Sequence, residues 1–190
     1  KSSLRKYLRL DVVKIITFKA EFKSLTVNIA ISEQVPNFVK GDPDRVKQVL
    51  LNIVSNAVKF THQGSISISL GFDKAKQLLH FCIIDTGIGI QESDQKKLFK
   101  PFSQVDDSTT RQFEGNGLGL VISKSLVELM KGEMRLSSRL GEGTKCEFFI
   151  PYKLATKKTE IKAQQVNHCF KGLSILIVED NPTNQFVLKK

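Results

Sequence analysis

Three absences narrow the class of protein that this 190-residue sequence can encode. The three cysteines, Cys82, Cys146 and Cys169, are odd in number and lack metal-binding or redox spacing, which fits a reducing compartment. No apolar run is long enough to span a bilayer, and the first residues do not have the pattern of a signal peptide. The sequence therefore predicts a soluble polypeptide, and its start resembles a cut from something longer.

Clustered basic residues are also absent, although the net charge is +10. Such a charge suits a polyanionic partner, which could be a nucleotide, a nucleic acid or a membrane surface. The lysines are scattered, however, and no basic run interleaved with aromatic residues marks a nucleic-acid-binding face. We therefore expect no nucleic acid partner. The length allows one domain plus a fragment.

What is present is organised around an amphipathic helix predicted over residues 42–61. Asp42 is a favourable N-cap and Pro43 suits the first helical position. Apolar residues recur at helical spacing and predict a buried face. They are Val46, Leu50, Ile53, Val54, Ala57 and Phe60.

A second stripe on this helix is polar and contains Asn52, Asn56 and Lys59. Asparagine is a poor helix former, so two of them one turn apart indicate another use. Carboxamide oxygens are suitable ligands for Mg²⁺, and a lysine one turn further on would lie beside phosphates. The alternative is an ordinary half-buried helix whose asparagines bond neighbouring backbone.

Strands are predicted over residues 25–31, 64–70 and 78–84, and the last is nearly continuously apolar. It ends at Asp85, where a buried carboxylate is costly unless a donor such as an adenine amino group pairs with it. Gly87 and Gly89 would let the backbone approach a flat ligand. In the alternative interpretation, Asp85 caps a helix that begins near Ser93.

Residues 98–130 are predicted to contain a lid that leads into a helix. Residues 98–102 close a short helix, and residues 103–116 form a long loop with little to pack. The glycine-rich run 115–120 precedes a helix predicted over residues 121–130, where exposed N–H groups would meet a polyphosphate. A hairpin follows over residues 134–150, in which Thr144 either contacts phosphate or is a plain strand residue.

The order and spacing of these motifs resemble the catalytic ATP-binding domain of sensor histidine kinases. That domain belongs to the superfamily shared with DNA gyrase, mismatch-repair ATPases and heat-shock chaperones. The resemblance covers about residues 20–152, and the pair Phe99 and Phe102 is similar to the phenylalanine box of histidine kinases. It implies an α/β (α+β) two-layer sandwich, with a mixed sheet covered by helices on one face and a nucleotide lid.

The resemblance also implies an order of domains. Residues 1–20 would be the tail of a dimerisation segment, residues 21–152 the catalytic domain and residues 153–171 a polar linker. Residues 172–190 resemble the truncated start of a flavodoxin-like receiver domain, so the parent resembles a hybrid histidine kinase. There, Glu179 and Asp180 would bind receiver Mg²⁺ if the domain were completed.

The resemblance also implies roles for individual residues of this sequence. Asn56 is the expected ligand of the Mg²⁺ that accompanies ATP, Asn52 is its partner, and Lys59 would contact phosphate. Asp85 would recognise adenine. The other residues expected near the nucleotide are Gly87, Gly89, Phe99, Arg111, Gly115, Gly117, Leu118, Gly119 and Thr144.

The implied activity is transfer of the ATP γ-phosphate to a histidine in a two-component phosphorelay. None of His62, His80 and His168 fits the phosphorylated histidine, so no catalytic residue is expected on this chain. The expected partners are a histidine-bearing dimerisation domain, in cis or in trans, a homodimer through that segment, and receiver or phosphotransfer proteins. The expected location is the cytoplasmic side of a parent that could be membrane-anchored. The alternative is a non-catalytic ATP-binding regulatory module.

Overall fold

The structure is a computed structural model that describes residues 20, 22–95, 98–99 and 118–154. The chain separates into two units, residues 1–156 and 157–190, and the second lies wholly outside the described residues. In the described part, no helix is both long and apolar enough to cross a membrane. Several predictions fall outside the described residues. They concern the lid, Phe102, Arg111, Gly115, Gly117, most of the linker, Glu179 and Asp180.

The described elements are a mixed sheet, a small second sheet and three helices. In chain order they are β1 (Thr26–Ile31), β2 (Val39–Lys40), α1 (Pro43–Phe60), β3 (Ser65–Asp73), β4 (Leu78–Asp85), α2 (Glu92–Gln95), α3 (Gly119–Leu129), β5 (Glu133–Arg139), β6 (Gly143–Pro151) and β7 (Lys153–Leu154). The large sheet has the order β1-β3-β4-β6-β5. Its β1–β3 pair is parallel and its other pairs are antiparallel, while β2 and β7 pair with each other. The predicted mixed sheet is confirmed.

Helix α1 begins where the sequence predicts. The side chain of Asp42 accepts hydrogen bonds from the backbone N–H groups of Asp44 and Arg45, both at 3.2 Å, and Pro43 occupies the first helical position. These bonds satisfy donors that have no partner within the helix. The buried face of α1 carries Val46, Val49, Leu50, Ile53, Val54, Ala57 and Val58.

The C-terminal end of α1 is capped by a residue that directly follows the helix and by a residue from the segment before β1. The Thr61 hydroxyl donates to the carbonyl of Ala57 at 2.7 Å. The Lys23 ammonium, which comes from the segment before β1, donates to the carbonyls of Val58 and Lys59 at 2.8 and 2.9 Å. A cation at the last carbonyls of a helix is also favoured by the helix dipole. The end of α1 is therefore fixed in place next to the sheet.

The two faces of the sheet have different roles. Phe81 on β4 and Phe148 on β6 are fully buried and stack with ring centroids 4.4 Å apart, in one core with α1 and α3. Burying such a side chain stabilises a fold by about 1.5–3 kcal/mol. Side chains alternate along a strand, so the next pair of residues, Cys82 on β4 and Glu147 on β6, faces the opposite side of the sheet. We call this side the outer face.

Candidate functional site

The carboxylate of Asp85 lies at the end of β4, directly opposite Thr144 on β6. Its Oδ1 atom accepts hydrogen bonds from the backbone N–H groups of Gly87 at 2.9 Å and of Thr144 at 3.3 Å. Only 9% of Asp85 is exposed, and this burial raises the pKa of the carboxyl although the two hydrogen bonds oppose the rise. Within the described residues, Oδ2 has no hydrogen-bond partner. An acceptor atom is therefore left for an N–H donor.

The alternative in which Asp85 caps a helix is not observed. Helix α2 begins at Glu92, and the hydrogen bonds of Asp85 go to Gly87 and Thr144 instead. The structure thus brings together two predicted site residues, Asp85 and Thr144, that lie 59 positions apart. The Thr144 hydroxyl is 2.9 Å from the hydroxyl of Ser138 on β5, so this threonine also links the two strands.

The loop after Asp85 is packed tightly against the protein's own backbone. A Cβ atom on Gly87 would lie 2.5 Å from the carbonyl oxygen of Phe60. Gly89 has a φ of +68°, and a Cβ atom there would overlap the carbonyl oxygen of Arg139. From the sequence, these glycines are expected to let the backbone approach a ligand. Their described contacts are with the ends of α1 and β5, which explains glycine at both positions.

Further hydrogen bonds fix the same loop. The N–H of Ile88 donates to Phe60 at 3.1 Å, and the N–H of Gly141 donates to Ile88 at 2.8 Å. The side-chain amide of Gln95 donates to the carbonyls of Ile90 at 2.9 Å and Ser138 at 2.7 Å. Gln95 is not among the predicted site residues, because a glutamine near a helix end gives no sequence signal of such long-range bonds.

On α1, Asn52 connects the helix to α3. Its Nδ2 atom donates to the carbonyl of Gly119 and to the hydroxyl of Ser123, both at 3.3 Å. The fully buried Ser123 hydroxyl in turn donates to Gly119 at 2.8 Å. Because its amide nitrogen is used twice, the oxygen of Asn52 is the atom left for a ligand. Ser123 was also missed, although a serine inside an otherwise apolar helix face is a detectable signal.

The start of α3 differs slightly from the prediction. The helix was expected to begin at residue 121, but Gly119 is already its first residue and Leu118 is its N-cap, with no side-chain capping bond. Gly119 therefore contributes a helical carbonyl to Asn52 rather than belonging to the preceding loop.

Asn56 and Lys59 continue the polar stripe of α1. Both are half-buried, and the Asn56 side chain makes no hydrogen bond among the described residues. Burial lowers the pKa of Lys59, whose ammonium lies 4.9 Å from the ring centroid of Phe60. Phe99, another predicted site residue, packs against the core, and the ammonium of Lys124 on α3 lies 4.9 Å from its ring centroid.

Comparison with known proteins identifies the class to which this fold and this arrangement belong. Residues 41–154 match the family described as histidine kinase-, DNA gyrase B-, and HSP90-like ATPase. The match covers more than half of the chain, so the chain belongs to this family.

The similar curated proteins are named as sensor kinases. The chain is 42% identical over 156 residues to the autoinducer 2 sensor kinase/phosphatase LuxQ of Vibrio cholerae, covering 78% of this chain and 18% of LuxQ. It is 41% identical over 187 residues to hybrid signal transduction histidine kinase C of Dictyostelium discoideum, covering 94% of this chain and 15% of that protein. The chain thus spans less than a fifth of these relatives.

Solved structures agree with the family. Full-length ShkA, crystallised in complex with AMPPNP, has a TM-score of 0.71 and 28% identity, covering 83% of this chain and 32% of ShkA. The catalytic domain of the histidine kinase ThkA has a TM-score of 0.64 and 26% identity, covering 78% of this chain and 92% of that domain. The predicted resemblance to the catalytic ATP-binding domain of hybrid sensor histidine kinases is confirmed, while the receiver start stays a prediction.

Proposed function

We propose that this domain binds ATP together with Mg²⁺ and positions the γ-phosphate for transfer to a histidine of a two-component phosphorelay. The observation that carries the proposal is the buried Asp85 carboxylate, which the Gly87 and Thr144 N–H groups hold while one oxygen keeps acceptor capacity. The family relationship supplies the nucleotide, since its members are described as ATPases.

At the end of β4, which we call the sheet end of the candidate site, Asp85 would recognise the base. Adenine presents an exocyclic amino group, which donates a hydrogen bond, and an ionised carboxylate only accepts. A guanine would present a carbonyl oxygen at the corresponding position, so two acceptors would face each other. Adenine is therefore preferred over guanine at this position. The rigid loop after Asp85 keeps the carboxylate oriented before the ligand arrives.

The polar stripe of α1, formed by Asn52, Asn56 and Lys59, is the helix end of the candidate site. Its side chains fit a phosphate-bound Mg²⁺. Mg²⁺ prefers a few protein oxygens combined with phosphates and water. The Asn56 carboxamide makes no hydrogen bond among the described residues, and Asn52 has its oxygen left over, so both can present neutral oxygens. Asn56 would hold the ion, which when bound neutralises charge on the phosphates. Lys59 would contribute a fixed positive charge on the same face of α1.

The contribution of these residues to catalysis would be positioning and charge neutralisation, which dominate phosphoryl transfer. Asp85 fixes the base and Lys59 attracts the phosphates, so the γ-phosphate is oriented towards an acceptor. We propose that the acceptor histidine comes from a histidine-bearing dimerisation domain, in cis or in trans, and that receiver or phosphotransfer proteins take the phosphoryl group afterwards. A homodimer through that segment is part of the proposal.

Calorimetric titration of the 190-residue chain tests the proposal. We expect binding of ATP that strengthens in the presence of Mg²⁺ and exceeds the binding of GTP. Addition of a histidine-bearing dimerisation domain of a related kinase should then give a phosphohistidine. ATP binding without any phosphohistidine would favour the regulatory module, and absence of ATP binding would refute the proposal.

A further inference from the structure

A second group of metal-binding side chains lies on the outer face of the sheet. We propose that His80, Cys82 and Glu147 form a site for a thiophilic divalent cation, of which Zn²⁺ is the natural example. The proposal does not depend on the proposed function, because it uses none of the residues assigned to the nucleotide.

The register of the sheet brings the three residues together. His80 and Cys82 are two positions apart on β4 and therefore face the same side, and Cys82 is paired directly with Glu147 on β6. One donor atom from each residue (a ring nitrogen, the thiol sulfur and a carboxylate oxygen) lies within 4.8 Å of the other two. The His80 Nε2 atom and the Glu147 Oε1 atom are 3.0 Å apart.

These separations are close to those of a zinc site. Zn²⁺ binds imidazole nitrogen and carboxylate oxygen at about 2.0–2.2 Å and thiolate sulfur at about 2.3 Å, so tetrahedral donors are roughly 3.3–3.8 Å apart. Small rotamer changes would bring the three donors to those distances. Three protein ligands leave the fourth position for water, as in open zinc sites.

The charges and the donor types select the cation. A thiolate and a carboxylate together carry two negative charges, which balance a divalent ion beside a neutral imidazole. Cysteine sulfur favours zinc over Mg²⁺ or Ca²⁺, which take oxygen ligands. Burial, assisted by the charge of Glu147, raises the pKa of the Cys82 thiol, so the thiol is protonated before the metal arrives. Formation of the Zn–S bond then displaces this proton to the solvent.

The neighbours of the three residues are compatible with this role. The ring of Phe149 stacks on the imidazole of His80 with centroids 4.4 Å apart and restricts its orientation. Lys145 pairs with the other oxygen of Glu147 at 3.0 Å, and its side chain is 44% exposed, so it can move away from an arriving cation. A bound ion would join β4 to β6 in the folded state and stabilise it by mass action.

The first test uses ZnCl₂ and CoCl₂ with the full chain in the absence of nucleotide. We expect zinc to bind and to raise the melting temperature. Cobalt should give the near-ultraviolet absorption of a thiolate–cobalt bond together with the visible bands of tetrahedral cobalt. A Cys169→Ser background removes the cysteine outside the described residues and leaves His80, Cys82 and Glu147 unsubstituted. Absence of the thiolate–cobalt band in that background would overturn the proposal.

Single substitutions then locate the site. His80→Ala and Cys82→Ser should each weaken zinc binding at least about 10-fold, because even the loss of a group that only supports a metal ligand costs about 10–100-fold in affinity. His62→Ala is the matched histidine control and should leave the zinc affinity unchanged. Zinc affinity that is unchanged in both His80→Ala and Cys82→Ser, with the fold verified by circular dichroism, would place the metal elsewhere and refute this site.

Discussion

The sheet end of the candidate nucleotide site is held by backbone groups, whereas its helix end is built from side chains. At the sheet end, N–H groups fix the carboxylate of Asp85, and the loop that follows it packs against carbonyls of α1 and β5. At the helix end, Asn52, Asn56 and Lys59 project from one face of α1, and the side chain of Asn52 is tied to α3 by two hydrogen bonds. Under the proposed function, base recognition would therefore depend on the fold itself, and phosphate binding would depend on individual side chains. Substitutions at the two ends should therefore fail in different ways.

The largest expected effect is on the stability of the sheet end. Gly89→Ala combines a positive φ with a Cβ that overlaps the backbone of Arg139, and it should lower the free energy of unfolding by about 3 kcal/mol. Gly141→Ala is the matched control, because Gly141 has a φ of +81° but nothing within 4 Å of the added Cβ. We expect that control to cost about 1 kcal/mol in urea unfolding. Equal losses would show that the backbone contact is unimportant.

The next effect is on binding at the helix end. Asn56→Ala should weaken ATP binding in the presence of Mg²⁺ about 100-fold, equivalent to about 2.7 kcal/mol, while the fold persists because alanine favours helix. Ser55→Ala changes the neighbouring exposed residue on α1 and serves as the control in the same calorimetric titration. If Asn56→Ala bound ATP as tightly as the unchanged chain, Asn56 could not be the magnesium ligand.

Asp85→Asn tests whether recognition and stability can be separated at the sheet end. The amide oxygen can still accept from Gly87 and Thr144, but the added NH₂ group would face the adenine amino group as a second donor. ATP affinity should fall about 10-fold, or about 1.4 kcal/mol. The exposed acid Glu142 provides a control for the charge, and Glu142→Gln should bind ATP normally.

The stability of Asp85→Asn should depend on pH in a defined direction. Burial raises the pKa of Asp85, so the contribution of this group to the free energy of unfolding is complete below the ordinary carboxyl pKa. That contribution is lost as pH rises through the raised pKa. Asparagine removes that loss. The variant should therefore gain stability relative to the unchanged chain between acidic and neutral pH, as measured by urea unfolding. A relative loss over that range would contradict the desolvation argument.

The smallest effect concerns the connection between α1 and α3. Ser123→Ala removes the hydroxyl that accepts from Asn52 and donates to Gly119, and it should cost about 1 kcal/mol of unfolding free energy. Ser125→Ala lies on the exposed side of the same helix and should cost much less. ATP affinity should fall slightly in Ser123→Ala only, since Asn52 loses one of its two partners. If the two variants had the same unfolding free energy and the same ATP affinity, the hydrogen bonds of Ser123 would not support Asn52 in binding.

The parts of the fold that the sequence predicted are those encoded locally. Asp42 and Pro43 define the start of α1 through neighbouring residues, and the apolar run before Asp85 is recognisable as a buried strand. The site residues themselves were predicted from a resemblance of motifs, and their roles toward a nucleotide stay predictions. Their described contacts could not be predicted, because Asn52 reaches Ser123 across 71 positions and Thr144 reaches Asp85 across 59. Such contacts depend on strand order and helix packing, which no local pattern contains.

The pairing of Asp85 with Thr144 sets a rule for how this domain tolerates changes in length. A one-residue slip of β6 would turn Thr144 to the opposite side of the sheet and bring a neighbouring side chain beside Asp85. The turn between β5 and β6, at residues 140–142, must therefore keep its length. The turn between β3 and β4, at residues 74–77, lies at the far end of β4 from Asp85 and is exposed. We therefore expect a fluorescent reporter or an affinity peptide inserted within residues 74–76 to leave the pairing of Asp85 with Thr144 intact, which makes this turn a suitable attachment point for following nucleotide binding.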